Sequence, residues 1–262
     1  LGKNITYERI KSHWAAKLPV NIGHNNFDII HYDYYRDSNV MIEALKANEY
    51  DFRSENISKE WATAYNDLNN NNNFIKEEIN HELPQGMQAF IYNIRKDIFK
   101  NIELRKALAL AFDFEWTNKT LFYGQYIRSN SYFSNSELAS SGLPTNAELK
   151  IIEQLNNDIP IEMLKEVYNP SKTDGSGNNR KNLRQAMQIL KHANYKLDNK
   201  ILTDPEGREI KFEILLISPA FERIVGPFIK NLKKLGVEAS IRIVDTAQYK
   251  NRLDNYEFDM VV

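Results

Sequence analysis

The sequence predicts an α/β fold, because three segments each join an apolar strand to an amphipathic helix. These segments cover residues 27–45, 90–126 and 228–244. Alternation of strands and helices along a chain is typical of domains in which helices pack on a sheet. With 262 residues, of which 42% are hydrophobic, the chain can bury one sizeable core or two smaller ones, so we expect one or two domains.

Composition excludes several classes of protein. The net charge is -1 and charged residues make up 26% of the chain, so neither a basic face for nucleic acid nor an acidic tail is indicated. The absence of cysteine excludes disulfide bonds, thiolate metal sites and a cysteine nucleophile. No apolar run approaches the roughly 20 residues that a membrane span needs.

The two ends of the sequence look cut. The first residues lack an initiator methionine and a signal peptide, and residues 258–262 read as a strand that has only begun. We therefore expect a soluble part of a longer mature protein.

The first third of the chain predicts one strand and two helices. Residues 27–35 are aromatic and β-branched, as in a strand, and Asp37 then caps an amphipathic helix that ends at Asn48. An extended piece over 50–52 leads through a polar segment to a short helix that begins near Ser58.

The middle of the chain begins with a break in this pattern. The five asparagines at 69–73 predict a solvated loop, because their side chains compete with helical backbone hydrogen bonds. Strands are predicted over 74–79 and 87–94. Asn101 and Asp113 then cap two consecutive helices.

Further helix signals follow. Gly124 ends the helix that Asp113 begins, and Thr145 with Glu148 forms a capping box at the start of the next one. Residues 174–179 are loop material ahead of another amphipathic helix.

The last third again predicts strands and a helix. Residues 204–207 form a turn between two strands, the second of which covers 212–217. A helix stops at Gly236 and is followed by an alternating strand over 237–244. Pro227 leaves two alternatives, a helix that kinks there or one that starts there.

Side chains that catalyse reactions or hold metals form no clear constellation. None of the five histidines lies three or four residues from another, so we expect surface or core histidines and no metal site. Two acidic pairs, Asp113 with Glu115 and Glu77 with Glu78, have the chemistry of a general acid and base. Their structural interpretations are stronger, because Asp113 caps a helix and the two glutamates lie on a lysine-rich, solvated strand.

A glycine-containing loop and several aromatic residues offer two further hypotheses. Gly175 and Gly177 lead into a helix, which suggests a phosphate cradle, but the loop lacks the Gly-Lys-Ser/Thr ending of a P-loop. Most aromatic residues are expected in the core. Four that lie near glycine, arginine and serine are expected either in the core or along a ligand groove: Tyr123, Tyr126, Tyr132 and Phe133.

Three blocks of sequence resemble one large family. They are FDIIHYDYYRDSNVMIEALKANEYDF from Phe27, FIYNIRKDIFKNIELRKALALAFDFEW from Phe90 and FIKNLKKLGVEASIRIVDTAQYKNRLDNYEFDM from Phe228. Over essentially its whole length, the chain resembles the family 5 extracellular solute-binding proteins, the peptide-capturing components of ABC importers. Three further segments resemble one branch of this family, the YejA-like branch, and begin at Tyr50, Leu121 and Thr173. This branch is associated with import of oligopeptides and microcin C.

This resemblance implies a periplasmic-binding-protein-like fold of type II, a two-lobed clamp that closes on an extended oligopeptide. Residues 1–85 correspond to part of the first lobe and residues 86–262 to most of the second, with the crossing near residues 84–88. The resemblance further implies a monomeric periplasmic protein that passes peptides to ABC permease subunits in the inner membrane. It implies no enzymatic activity, cofactor, metal or nucleic acid.

The resemblance also implies a set of ligand-binding residues: Arg53, Ser54, Glu55, Asn56, Gly86, Met87 and Gln88. The Arg53 guanidinium suits a peptide carboxylate, the Glu55 carboxylate suits an amine, and Gly86 allows a peptide backbone to come close. The alternative for Arg53 and Glu55 is a surface ion pair worth about 0 to 1 kcal/mol. Two alternatives for the whole protein are a carboxylate-dependent hydrolase and an interaction module that docks on a membrane partner without ligand.

Overall fold

The computed structural model describes residues 2–68, 74–155, 159 and 162–262. The chain divides into two compact units, Leu1–Lys76 and Glu77–Val262, each with its own hydrophobic core. The asparagine run predicted to be a loop lies outside the described residues, and the lobe boundary at residues 85 and 86 stays a prediction. Within the described ranges, no helix is both long enough and apolar enough to cross a membrane.

Among its described residues, the first unit contains a two-stranded antiparallel sheet and two α-helices. Its elements in chain order are β1 (Asn4–Glu8), β2 (Ile29–Asp33), α1 (Ser38–Lys46) and α2 (Ser58–Thr63). The predicted cap is confirmed, because Asp37 Oδ1 accepts the backbone N–H groups of Asn39 and Val40 at 2.8 and 3.1 Å. A small core of buried side chains joins α1 to the segment that follows α2: Ile42, Leu45, Tyr65 and Leu68.

The second unit contains the remaining helices and strands. In chain order they are β3 (Ile91–Tyr92), α3 (Ile102–Ala109), α4 (Phe114–Leu121), α5 (Asn146–Ile152), α6 (Glu162–Lys165), α7 (Arg180–His192), β4 (Lys196–Asp198), β5 (Ile201–Thr203), β6 (Lys211–Leu216), α8 (Glu222–Lys234), β7 (Glu238–Ile243), α9 (Thr246–Asp254) and β8 (Met260–Val261). The predicted caps at Asn101 and Asp113 and the capping box of Thr145 and Glu148 are confirmed. The predicted α/β character is confirmed as well.

A four-stranded mixed sheet forms the centre of this unit, in the order β3-β8-β6-β7. β6 is parallel to both β7 and β8, whereas β3 pairs antiparallel with β8. β6 is apolar and mostly buried because it lies between two strands and under helices, whereas only alternate residues of β7 are half-buried. The outward side chains of β7 include Glu238, which pairs with Lys211 at 3.2 Å, and Arg242, which pairs with Glu213 at 3.6 Å.

Two strand predictions need correction. Residues 74–79 form neither a helix nor a strand, and within 87–94 only Ile91–Tyr92 is a strand. Ile91 and Tyr92 pair with Val261 and Met260 of β8. The preceding segment is instead held by a loop, because Asn135 Nδ2 donates to His81 O and Leu83 O at 2.9 and 2.8 Å.

The core of the second unit lies between the sheet and three helices. Its fully buried side chains include Phe99, Leu104, Leu108, Leu190, Leu202, Ile214, Leu232, Leu235 and Met260. The alternative in which the last long helix starts at Pro227 is wrong, because α8 begins at Glu222 and continues through this proline. Burial of Val225, Phe228 and Leu232 offsets the backbone hydrogen bond that proline cannot make.

The joint between α3 and α4 is tied to the other two core helices. Only residues 110–113 separate the two helices, and the end of a helix leaves carbonyl groups without helical partners. Asn179 Nδ2, just before α7, donates to Leu110 O at 2.8 Å, and Asn231 Nδ2, within α8, donates to Ala111 O at 3.0 Å. Both asparagines are buried, so the joint position depends on these two hydrogen bonds.

We predict that Gly236→Ala lowers the free energy of unfolding by about 3 kcal/mol or more, because left-handed backbone strain adds to a steric clash. Gly236 has a φ of +80°, and a Cβ there would lie 2.3 Å from Leu197 Cδ1 and 2.8 Å from Leu202 N. Gly207→Ala is the matched control, since Gly207 has a φ of +84° and open space around the Cβ position. Urea unfolding measures both losses, and equal losses would contradict the prediction.

Candidate functional site

Arg53 and Glu55 form a buried ion pair in the first unit. Arg53 Nε and Nη2 lie 3.0 and 2.9 Å from Glu55 Oε2. The Arg53 side chain is 9% exposed and that of Glu55 is 4% exposed. The two side chains therefore pair with each other, as the alternative proposed, but at a largely buried position, so the 0 to 1 kcal/mol expected of a surface pair does not apply.

Both carboxylate oxygens of Glu55 are engaged within the unit. Oε2 also accepts the Tyr65 hydroxyl, and Oε1 accepts the Ile57 backbone N–H at 2.9 Å. Arg53 Nη2 reaches Ser38 Oγ at 3.4 Å, whereas Arg53 Nη1 is buried and has no hydrogen-bond partner among the described residues. The predicted role of Glu55 as an amine ligand stays a prediction, and in this arrangement its direct partners are Arg53, Tyr65 and Ile57.

The hydrogen bonds around Glu55 keep it charged. Burial acts to raise the pKa of Glu55, but hydrogen bonds from Tyr65, the Ile57 amide and Arg53 outweigh burial and lower that pKa below its usual value. Burial, the hydrogen bond to Glu55 and its negative charge raise the pKa of the Tyr65 hydroxyl. The shared proton therefore stays on Tyr65, and the carboxylate remains the charge partner of Arg53.

The local backbone explains which side chains of this segment are buried. Residues 53–56 join α1 to α2 without forming a helix or strand. Successive side chains of an extended segment point in opposite directions. Arg53 and Glu55 accordingly point inward, whereas Ser54 and Asn56 are exposed. The outward residues carry a hydroxyl and an amide that are free to meet a ligand.

The other predicted ligand residues lie in the second unit. Gly86 and Gln88 are exposed and Met87 is half-buried, in a stretch without helix or strand. A Cβ on Gly86 would meet no heavy atom within 4 Å. The segment just before them is fixed by Asn135 and by the Gln85 backbone N–H, which donates to Ser134 O at 2.8 Å.

Asp113 and Glu115, the carboxylates that a hydrolase would use, both contact Thr173. Thr173 Oγ1 lies 2.5 Å from Asp113 Oδ1 and 3.2 Å from Glu115 Oε2. Asp113 also caps α4 by accepting the Trp116 backbone N–H at 3.1 Å, as predicted. Both carboxylates therefore serve to hold the 173–177 loop on the start of α4.

Packing explains one glycine of this loop, Gly177. A Cβ on Gly177 would lie 2.9 Å from Trp116 Cδ1, and Gly177 has a φ of +82°. Only glycine allows the loop to lie this close to the indole ring. Sequence reasoning missed this contact, because no local signal connects residue 177 to residue 116.

The aromatic residues singled out from the sequence lie on the surface. All four aromatic residues singled out from the sequence are exposed, so the core interpretation is wrong for them: Tyr123, Tyr126, Tyr132 and Phe133. Their place along a groove stays a prediction.

Over the part of the chain that the structure describes, no group of three or more histidine and acidic residues is placed to hold a metal ion.

Solved structures show which fold this is. The chain resembles lactococcal OppA complexed with an endogenous peptide in the closed conformation, with a TM-score of 0.63 and 17% identity over 99% of this chain and 44% of that chain. It also resembles a mannohexaose-bound periplasmic oligopeptide-binding protein from Thermotoga maritima, with a TM-score of 0.62 and 16% identity over 99% of this chain and 43% of that chain. The chain is therefore a portion of a type II periplasmic-binding fold, and the predicted fold class is confirmed.

Sequence comparison identifies the family. The model for bacterial extracellular solute-binding proteins, family 5 Middle, matches residues 1–262, and the chain belongs to this family. It is 41% identical to the YejA protein of Escherichia coli (strain K12), over 100% of this chain and 44% of that protein. It is 40% identical to the protein named "Probable peptide-binding protein YejA" of Agrobacterium fabrum (strain C58 / ATCC 33970), over 100% of this chain and 43% of that protein. The chain thus spans less than half the length of these relatives, and the predicted YejA-like membership is confirmed.

We predict that Glu55→Gln destabilises the first unit by about 3 kcal/mol, because it leaves the buried Arg53 charge without its partner. Hydrogen exchange across α1 and α2 measures this loss in the first unit by itself. Tyr65→Phe is the matched control, since it removes one hydrogen bond but keeps the charge pair, and it should cost about 1.5 kcal/mol. A Glu55→Gln loss no larger than the Tyr65→Phe loss would refute the prediction.

We also predict that the stability difference between wild-type protein and Glu55→Gln depends on pH. Because the pKa of Glu55 is lowered from 4.5 in the folded unit, its stabilisation is fully present above about pH 4.5 and is lost as the pH falls through the lowered pKa. Wild-type protein and Glu55→Gln should therefore converge in exchange protection as the pH falls from 5 towards 2. A difference that stays constant over this range would show that the Glu55 charge contributes nothing.

Proposed function

We propose that this chain is part of the substrate-binding component of an ABC importer, which captures extended oligopeptides between two lobes in the periplasm and delivers them to a membrane permease. The observation that carries the proposal is the family match along all 262 residues. A relative that is 40% identical carries a peptide-binding name, which supports peptides as the ligand class. Peptides of the microcin C type are a narrower form of the same proposal.

The proposed mechanism is reversible binding followed by closure of the lobes, without covalent chemistry. In it, main-chain groups of an extended peptide meet the exposed hydroxyl of Ser54 and amide of Asn56. Gly86 admits the peptide backbone, because no side chain fills the space beside it. Arg53 points inward and pairs with Glu55, so in this mechanism it fixes the segment that presents Ser54 and Asn56.

We predict that a pool of short peptides raises the melting temperature of the protein produced with its flanking coding sequence. A ligand that binds only the native state adds about 2.7 kcal/mol at a hundredfold excess over its dissociation constant. Differential scanning fluorimetry measures the shift, and the 262-residue chain is the control for the contribution of the flanking sequence. Mannohexaose, the ligand of a structural relative, is the matched control for ligand class.

Two results would decide against the proposal. A shift with mannohexaose and none with peptides would replace peptides by saccharides as the ligand class. Cooperative melting without any shift would favour the interaction module that docks on a membrane partner.

A further inference from the structure

Among the described residues, no polar side chain or backbone group pairs with the Arg128 guanidinium. Its central carbon lies 5.5 Å from the ring centre of Phe112 and 5.3 Å from that of Phe114. Nη1 is buried and unpaired, and within the described ranges neither Nε nor Nη2 makes a hydrogen bond or ion pair. Arg223 shows the ordinary case, since its Nη1 donates to Leu121 O at 3.2 Å.

The positive charge of Arg128 is only partly compensated. Burial lowers the pKa of Arg128, and the negative charge of Glu115 acts in the opposite direction without cancelling it. Glu115 is committed elsewhere, because its Oε2 accepts the Thr173 backbone N–H at 2.9 Å. A half-buried cation in this state gains from any anion that reaches it.

The surroundings hold Arg128 in a fixed position. Asn118, in α4, clamps the backbone two residues earlier: its Nδ2 donates to Tyr126 O at 2.7 Å and its Oδ1 accepts the Tyr126 N–H at 3.0 Å. Phe112 and Phe114 flank the guanidinium from the α3–α4 joint and the start of α4. A cation that is already ordered loses little conformational entropy when it binds an anion.

We infer that Arg128 is a carboxylate-binding group that favours peptides carrying an acidic group, either an aspartate or glutamate side chain or the terminal carboxylate. The planar fork of Nε and Nη2 matches the two oxygens of a carboxylate, and paired hydrogen bonds of this kind are strong. The neighbouring exposed side chains of Ile127 and Tyr132 suit the apolar parts of a peptide. The inference rests on the proposed function.

The test compares four alanine-based pentapeptides by calorimetry, with the protein produced together with its flanking coding sequence. Penta-alanine with a free terminal acid and penta-alanine with a terminal amide form the pair that isolates the terminal carboxylate. The pair Ala-Ala-Asp-Ala-Ala amide and Ala-Ala-Asn-Ala-Ala amide isolates the side chain. We expect wild-type protein to bind the acidic member of at least one pair about tenfold or more tightly than its partner, as a hydrogen-bonded charge pair implies.

Variants assign this preference to Arg128. Arg128→Met keeps the stem between the two rings and should reduce the ratio to about one, whereas Arg184→Met, at an exposed position of α7, should retain it. Arg128→Lys keeps the charge without the fork and should also lower the ratio, so it replaces the Met variant if that variant does not fold. A preference that survives in the folded Arg128 variant, or no preference in wild type, overturns the inference.

A second experiment tests the anion site at Arg128 without peptides, so it applies even if no peptide binds and the proposed function fails. Acetate is titrated into isotope-labelled protein at constant ionic strength, and the Arg128 Nε–Hε signal is identified by its loss in Arg128→Lys. A saturable shift of that signal, absent with chloride, supports an anion site that is independent of peptide import. A signal that does not move overturns the site.

Discussion

The second unit is organised around the short joint between α3 and α4, residues 110–113. The carbonyls of Leu110 and Ala111 accept hydrogen bonds from Asn179 and Asn231, and leaving either buried carbonyl unpaired would cost about 1 to 3 kcal/mol. The Phe112 ring contacts those of Phe90 and Phe228, at 5.4 and 5.8 Å between centres. Residues 110–113 thus contact the N-cap of α7, α8 and the residue before β3, and they form part of the surroundings of Arg128.

Local signals in the sequence account for the parts of the fold that were predicted correctly. Asp37, Asn101 and Asp113 cap helices through atoms two or three residues away, so the sequence contains both partners. The strands over 74–79 and 87–94 were predicted wrongly because a strand also needs a partner. Ile91 and Tyr92 have such a partner in β8, whereas residues 74–79 pair with no strand among the described residues.

The location of the candidate site stays a prediction, and the sequence did not indicate how its side chains pack. Resemblance pointed to residues 53–56, and the alternation of inward and outward side chains there is a sequence-level pattern. Burial of the Arg53–Glu55 pair was not predictable, because it depends on Tyr65 closing over Glu55 from beyond α2. Arg128 was missed for a similar reason: its flanking rings and its lack of a partner are properties of the folded unit.

The charged side chains of β7 affect aggregation more than they affect the stability of the fold. Exposed pairs such as Lys211–Glu238 and Glu213–Arg242 contribute little to stability. Among the described residues, however, β7 lies at one end of the sheet order, and the unpaired backbone groups of such an edge can template a further strand. Charges of both signs along this strand discourage edge-to-edge pairing and so protect the folding chain from aggregation through an open sheet edge.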